Sequence, residues 1–332
     1  MHPFTLEQPR DLAAATASRA QAGRNDSDAE FIGGGTDMVQ LLQENVRRPD
    51  RLVSLAGLLD ARIEAGPDGL RLGAAATMAE VAAHAAVAAQ YPLVAQALLA
   101  SASPQVRNQA TIGGNLLQRT RCPYFRDVGY AACNKRDPGS GCAAIGGENR
   151  WHAVLGGSEA CIATHASDLA VALVALDARV HLRGMRGERS VVLAALHRLP
   201  GRSPHLETVL GRGEIITAVS LPPQPAARRS HYLKVRDRAS FEFAVVSAAV
   251  ALDLQGGRIG TARVAAGGVG TRPWRLPAVE AALAGAPLER DALRRAAAHA
   301  ARGARGYGHN DFKIELMQRA IVRAVEAAGA ST

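Results

Sequence analysis

Aromatic side chains are scarce: two Trp, five Tyr and six Phe supply 4% of 332 residues. Aliphatic side chains must fill most of the core. No basic run is interleaved with aromatics, as surfaces that stack nucleic-acid bases require. The formal charge is +9, but the arginines are scattered among acids along the chain (Arg10, Arg19, Arg24, Arg47, Arg62, Arg71 and onward). No nucleic-acid role is expected; a basic face would instead suit an acidic partner subunit or an anionic cofactor. Long apolar runs are missing too. Residues 81–89 and 169–176 are the most apolar, and they fall short of the ~20 residues that span a bilayer. The opening MHPFTLEQPR has no basic segment followed by an apolar core, so it does not read as a secretory signal. A soluble protein is expected, with no membrane association. No C-x-x-C occurs, which disfavours a zinc ribbon. No Gly-Lys-Ser/Thr follows a glycine loop and no spaced G-x-G-x-x-G appears, which excludes a P-loop and a Rossmann unit.

What is present is an ordinary globular composition, 48% hydrophobic and 21% charged, with 33 glycines. The length suits two or three subdomains rather than one core. Residues 4–6 read as a short strand and 11–22 as an Ala-rich helix. Residues 30–32 end a strand that runs into Gly33-Gly34-Gly35-Thr36-Asp37, and Met38, Val39, Leu41 and Leu42 follow at helical spacing. Strands are predicted at 51–55 and 69–73, the latter continuing through 74–76. Thr77 and Glu80 form a capping box for a helix to about residue 89. Another helix begins at Pro92, and 101–109 reads as a loop. From 111 to 165 periodicity disappears, and so long an irregular stretch should be functional. Ser167-Asp168 then caps an apolar helix through 176. Strands follow at 179–182 and 214–221, and Pro222-Pro223 opens a linker to Ser230. The remainder reads as strands at 232–235, 244–254 and 259–266, with a Gly256-Gly257 turn, and then helices at 278–284, 290–302 and 311–328. Strands followed by helices predict an α+β C-terminal domain.

Two glycine loops stand out. Residues 33–37 join a strand to a helix, where amide groups can approach a phosphate closely. Thr111-Ile112-Gly113-Gly114-Asn115 is a second. Either alone would equally be a tight turn, but together they could clamp a pyrophosphate from two sides. The cysteines form a third feature. Cys122, Cys133, Cys142 and Cys161 are separated by 10, 8 and 18 residues, a clustering that reads as ligands of one centre. Four thiolates suit a cubane iron–sulfur cluster and also structural zinc; disulfides or free thiols are the remaining alternatives. The Pro138-Gly139-Ser140-Gly141 turn would help bring the ligands together. Arg121, Lys135 and Arg136 would offset the cluster's negative charge, and amides near Gly139 and Gly141 would donate to sulfur. His152 and His165 read as structural residues rather than ligands. No Ser-His-Asp or paired-carboxylate constellation is assigned by any motif, so no catalytic residue is expected on this chain.

The segments FIGGGTD (31–37), ATIGGN (110–115), Ser167-Asp168 and YLKVRDRASFEFA (232–244) resemble the motif series of the FAD-binding subunits of molybdenum hydroxylases, and the resemblance covers essentially the whole chain. Within that family, NLLQRTRCPYFRD, CNKRDPGSGCAA and GSEACIATHASD are similar to the flavin subunits of bacterial periplasmic aldehyde oxidoreductases, which carry FAD and a [4Fe–4S] cluster. Most other members connect the second glycine loop to the Ser-Asp helix more directly.

The resemblance implies an α+β chain. A two-subdomain FAD-binding domain of the PCMH or vanillyl-alcohol-oxidase type would cover 1–225 (subdomains 1–57 and 58–225, with an iron–sulfur insertion at 116–166). A C-terminal domain like that of CO dehydrogenase flavoproteins, an antiparallel sheet with helices, would cover 226–332. It further implies that Ile32, Gly33, Gly34, Gly35, Thr36 and Asp37, together with Thr111, Ile112, Gly113, Gly114 and Asn115, hold the FAD pyrophosphate. Asp168 would bond ribityl or ribose hydroxyls, Lys234 would lie beside the isoalloxazine, and the four cysteines would bind the cluster. The cluster would be chiefly a structural staple, since the rest of the family transfers electrons without it. The implied partners are a large molybdopterin-binding subunit and a small subunit with two [2Fe–2S] clusters. The implied function of the complex is aldehyde oxidation, with a xanthine dehydrogenase-like or other heterocycle hydroxylase as the alternative. Export to the periplasm with a signal-bearing partner is expected, with a cytoplasmic location as the alternative. A stand-alone FAD oxidoreductase with a zinc-stapled loop and a nucleic-acid-binding module are the competing readings.

Overall fold

The computed structural model describes residues 1–22 and 29–330, and three sheets organise them. The first is parallel, with strand Arg51–Ser54 between Thr5–Glu7 and Ala29–Ile32. Helix Leu12–Gln21 connects the outer pair, its start fixed by the Asp11 carboxylate accepting from the Ala14 amide at 2.7 Å. The second sheet is antiparallel, in the order Ile63–Gly66, Gly69–Gly73, Ile215–Leu221, Arg179–Gly184, Gly187–Val192. The third is an antiparallel array of Trp274–Arg275, Arg258–Gly267, Val246–Gln255 and Ser230–Val235. The C-terminal helix Phe312–Ala330 packs on two of its strands, the edge strand Ser230–Val235 and its neighbour Val246–Gln255. The α+β expectation for the C-terminal part holds.

Helix Asp168–Ala175 is buried along its entire length. It packs against helix Pro92–Leu99 and also against the third sheet. At that second contact Gly267 is required: a Cβ there would lie 2.6 Å from Val171 Cγ2 and 2.5 Å from Ser247 Oγ. An apolar helix with no polar face can exist only where both sides are covered, and this one is the seam between the second and third sheets.

Several local expectations hold. The Thr77–Glu80 capping box forms reciprocally, and Gly256 and Gly257 make the hairpin turn with φ of 57° and 78°. Others need correction. Residues 74–76 turn away from the sheet after Gly73 because their polar groups bond elsewhere: the Ala74 and Ala76 carbonyls receive the amides of Gly113 and Ile112. The helix beginning at Met78 breaks at His84, whose ψ of 120° is extended, and restarts as Ala85–Gln90. Residues 101–109 are not all loop, because Ser103 caps a helix Pro104–Gln109 with proline in its first turn. Strands Ile63–Gly66 and Gly187–Val192 were not apparent in the sequence. Both are edge strands, and Gly187–Val192 is mostly exposed, so neither carries a strong alternating pattern. Among the described residues no helix is long and apolar enough to cross a membrane.

The last helix carries a buried cation. Lys313 is 0% exposed and donates to the carbonyls of Gly268 (2.8 Å) and His152 (3.2 Å). Burial pushes its pKa down to about 7; Arg150 adds to the effect and Asp237 opposes it. In the unfolded chain the ammonium titrates near ~10.4. Between these values the unfolded chain binds more protons, so this group makes stability rise with pH, while below about 7 its destabilising contribution is constant. Denaturant titrations at stepped pH should therefore show wild-type stability climbing above pH 7 relative to Lys313→Met, a gain absent if the ammonium is held at its ordinary pKa.

Candidate cofactor-binding loops and four-cysteine centre

Residues 33–37 leave strand Ala29–Ile32 and enter helix Met38–Gln43. Gly35 has a φ of 76°, in the left-handed region. Gly34 is required for a different reason: a Cβ would sit 1.9 Å from the Gln109 carbonyl oxygen. A Cβ on Gly33 would sit 3.3 Å from Thr111 Oγ1. The two glycine loops thus lie against each other, as the two-sided clamp requires.

Their donor groups differ. In the second loop the amides are used internally: Ile112 to Ala76 O (2.9 Å), Gly113 to Ala74 O (3.0 Å), Gly114 to Thr111 Oγ1 (3.2 Å) and Asn115 to Thr111 O (2.8 Å). In the first loop the amides of Gly34, Gly35 and Thr36 find no acceptor among the described residues. Three successive unsatisfied N–H groups in a glycine turn can cradle an anionic oxygen. The first loop therefore offers the donors, and the second holds it in shape.

Asp37 faces the cysteine segment. It does not cap the helix that follows. Its carboxylate accepts from the Arg119 amide (2.8 Å) and from the guanidinium groups of Arg121 (2.7 Å) and Arg126 (2.7 Å).

Asp168 and Lys234, 66 residues apart, meet at 2.8 Å with side chains 6% and 4% exposed. The same carboxylate accepts from Tyr232 Oη (2.6 Å) and Ser101 Oγ (3.0 Å). Burial and the neighbouring Asp168 charge drive the Tyr232 phenol far above its ordinary pKa, so it stays a donor. A carboxylate has about four acceptor positions, and three are filled by protein, which leaves one for a hydroxyl. Ser167 accepts from the Ala170 amide (3.0 Å) and bonds Asn115 Oδ1 (2.5 Å), so the second glycine loop is tied to the same helix start. Tyr232 and Ser101 were not read as site residues from the sequence. Nothing in their spacing signals the role; only the packing of strand Ser230–Val235 on helix Pro92–Leu99 brings them in. Phe241 and Phe243, on the loop after Lys234, are exposed, and Phe243 lies under the Arg121 guanidinium at 4.9 Å.

All four cysteines are free thiols and line one cavity with Phe125, Ala132, Ala144, Ala160 and Ala163. Cys133 and Cys142 are joined by an antiparallel bridge across the 138–141 turn, whose glycines have φ of 96° and 98°. Among the described residues no three Cys, His, Asp or Glu side chains are grouped to hold a metal ion. Burial pushes the Cys122 thiol up to about 12 and the Cys161 thiol up to about 11; the neighbouring cysteines add to both, and Lys135 opposes the rise at Cys161. Cys122 and Cys161 therefore become thiolates only against a concentrated positive charge.

Two expectations about this centre change. The Gly139 and Gly141 amides do not serve sulfur; both donate to Asn134 Oδ1 (3.0 and 2.9 Å), which shapes the turn. The amides that reach a sulfur are that of Ala163, 3.4 Å from Cys161 Sγ, and those of Phe125 and Tyr124 at Cys122. Of the three cations, only Lys135 lines the cavity, and it also pairs with Glu207 at 2.7 Å. Arg121 is turned to Asp37, and Arg136 bonds the carbonyls of Tyr124 and Phe125. His152 was read as structural, and its Nε2 lies 3.1 Å from Cys122 Sγ.

Residues 2–224 match the FAD binding domain in molybdopterin dehydrogenase, and residues 231–328 match the CO dehydrogenase flavoprotein C-terminal domain. The chain belongs to the FAD-binding medium-subunit family of the molybdenum hydroxylases. It is 45% identical to the aldehyde oxidoreductase FAD-binding subunit of Escherichia coli over 99% of both chains. It is 26% identical to the carbon monoxide dehydrogenase medium chain of Afipia carboxidovorans over 98% of this chain and 97% of that one. Among solved structures, CO dehydrogenase from Oligotropha carboxidovorans superposes with a TM-score of 0.77 over 100% of both chains at 24% identity, a likeness of fold.

Because a Cβ at residue 34 collides with backbone, Gly34→Ala should separate the loops, lower stability by about 1–3 kcal/mol and strip bound flavin. Flavin absorbance per folded chain, with circular dichroism as the folding control, checks this; full flavin occupancy would refute it.

Proposed function

We propose that this chain is the FAD-binding electron-transfer subunit of a heterotrimeric molybdenum-dependent aldehyde oxidoreductase and carries a [4Fe–4S] cluster on Cys122, Cys133, Cys142 and Cys161. The observation that carries the reading is the contact between the two glycine loops, beside which the amides of Gly34, Gly35 and Thr36 have no acceptor among the described residues. FAD supplies the ability to take electrons singly and release them in pairs. The residues' part is to hold it. Residues 32–37 receive the pyrophosphate, with residues 111–115 as the second wall. Asp168 takes a ribityl or ribose hydroxyl on its remaining acceptor position, and Lys234, paired with it at 2.8 Å, lies beside the isoalloxazine.

The aldehyde substrate is supported by the 45% identity with the aldehyde oxidoreductase subunit, against 24% with the putative xanthine dehydrogenase FAD-binding subunit of Escherichia coli. Substrate oxidation takes place on a large molybdopterin subunit, and a small subunit with two [2Fe–2S] clusters delivers the electrons; the relatives are themselves medium chains or subunits. The four thiols around one apolar cavity, three of them buried and Cys142 half-buried, support the cluster, which acts chiefly as a staple for the insert. Export to the periplasm with a signal-bearing partner completes the proposal.

Anaerobic co-purification with neighbouring subunits should give one FAD and about four irons per chain, with zinc absent. Cys161→Ser should lose most of the iron while retaining FAD. Zinc in place of iron would end the cluster assignment, and a chain without flavin would end the whole reading. Turnover of heterocycles but not aldehydes would transfer the complex to the hydroxylase alternative.

A further inference from the structure

We propose that His152 is a positioning residue for the four-cysteine centre, donating its Nε2–H to Cys122 Sγ and raising the centre's reduction potential. The inference rests on the iron–sulfur reading above and goes beyond it by assigning a tuning group.

The ring is 2% exposed and its Nε2 lies 3.1 Å from the sulfur. Which nitrogen carries the proton follows from elimination. His152 Nδ1 is buried and has no partner among the described residues. That nitrogen is unpaired in either tautomer, so the sulfur decides. With the proton on Nδ1, Nε2 would have to accept from the sulfur, and a metal-bound thiolate has no proton to give. A proton on Nε2 pairs that nitrogen with the sulfur and leaves Nδ1 as the unpaired acceptor.

The ring is fixed from behind. The His152 amide donates to Asn149 O (2.8 Å). Its carbonyl accepts from Lys313 Nζ (3.2 Å) and Asn310 Nδ2 (3.3 Å), both from the C-terminal part of the chain. The Gly139 and Gly141 amides are committed to Asn134, and the backbone donors at the cysteine sulfurs are the Phe125 and Tyr124 amides at Cys122 and the Ala163 amide at Cys161. Among the described residues His152 is the one side chain bonded to a cysteine sulfur.

Uptake of one electron adds a negative charge that spreads onto the cluster sulfurs. An N–H aimed at a sulfur in a low-dielectric pocket stabilises the reduced form more than the oxidised one. A difference of about 1 kcal/mol, typical of one such bond, changes the reduced-to-oxidised ratio roughly fivefold.

The test uses the complete complex, purified anaerobically, with mediated titration by dithionite followed by electron paramagnetic resonance. His152→Phe keeps the ring volume and removes the donor. At the wild-type midpoint its reduced-to-oxidised ratio should fall roughly fivefold with iron content unchanged, and His152→Gln, which restores an N–H donor, should recover part of the shift. A second measurement needs no variant: after transfer to deuterium oxide, wild type should show an exchangeable proton coupled to the cluster by electron–nuclear double resonance. Equal midpoints for wild type and His152→Phe at full iron would overturn the proposal, and so would the lack of an exchangeable coupling in wild type. Wild type without iron would instead overturn the iron–sulfur reading itself, an outcome separable by metal analysis alone.

Discussion

The structure turns on one buried ion pair. Asp168 sits at the first turn of the fully buried helix between the second and third sheets, and Lys234 reaches it from the C-terminal sheet. Removing two charges from water is costly, and such a pair is retained for orientation more than for net stability. Here the cost is offset by the additional donors Tyr232 and Ser101 and by the Ala100 carbonyl, which accepts from Lys234 at 3.0 Å. The pair fixes how strand Ser230–Val235 docks on the N-terminal part. Its neighbour Ser167 carries that orientation on to the second glycine loop.

The cysteine insert follows another logic. Its chain is irregular, so it must be held by side chains rather than by ladders. Lys135 reaches Glu207, Arg136 ties down the Tyr124 and Phe125 carbonyls of the short helix Pro123–Arg126, and Asn149 bonds the Tyr307 carbonyl at 2.8 Å. The Lys135 and Asn149 ties run from the insert to two other parts of the fold and the Arg136 tie binds the insert to itself, so the pocket is shaped even where no regular structure supports it.

The sequence made the glycine loops, the capping box and the Ser167 cap legible because each is a local pattern read from a few consecutive residues. It also revealed the clustering of the cysteines, and the resemblance extended the reading to Asp168 and Lys234. What stayed hidden is what depends on distant packing. Tyr232 meets Asp168 only after the C-terminal part docks, and Ser101 meets it only once helix Pro92–Leu99 packs on helix Asp168–Ala175. The Gly139 and Gly141 amides looked free to serve sulfur because the sequence does not show that the Asn134 side chain folds back onto them. Edge strand Gly187–Val192 escaped notice because an exposed edge does not need an apolar face.

Asp37 gives the arrangement a thermodynamic consequence. One carboxylate ends the first glycine loop and also anchors Arg119, Arg121 and Arg126 on either side of Cys122. Ordering either segment therefore prepays part of the entropy of ordering the other. Such linkage is reciprocal: whatever affinity occupancy of the cysteine pocket lends to the glycine loop, occupancy of the loop lends back in equal measure.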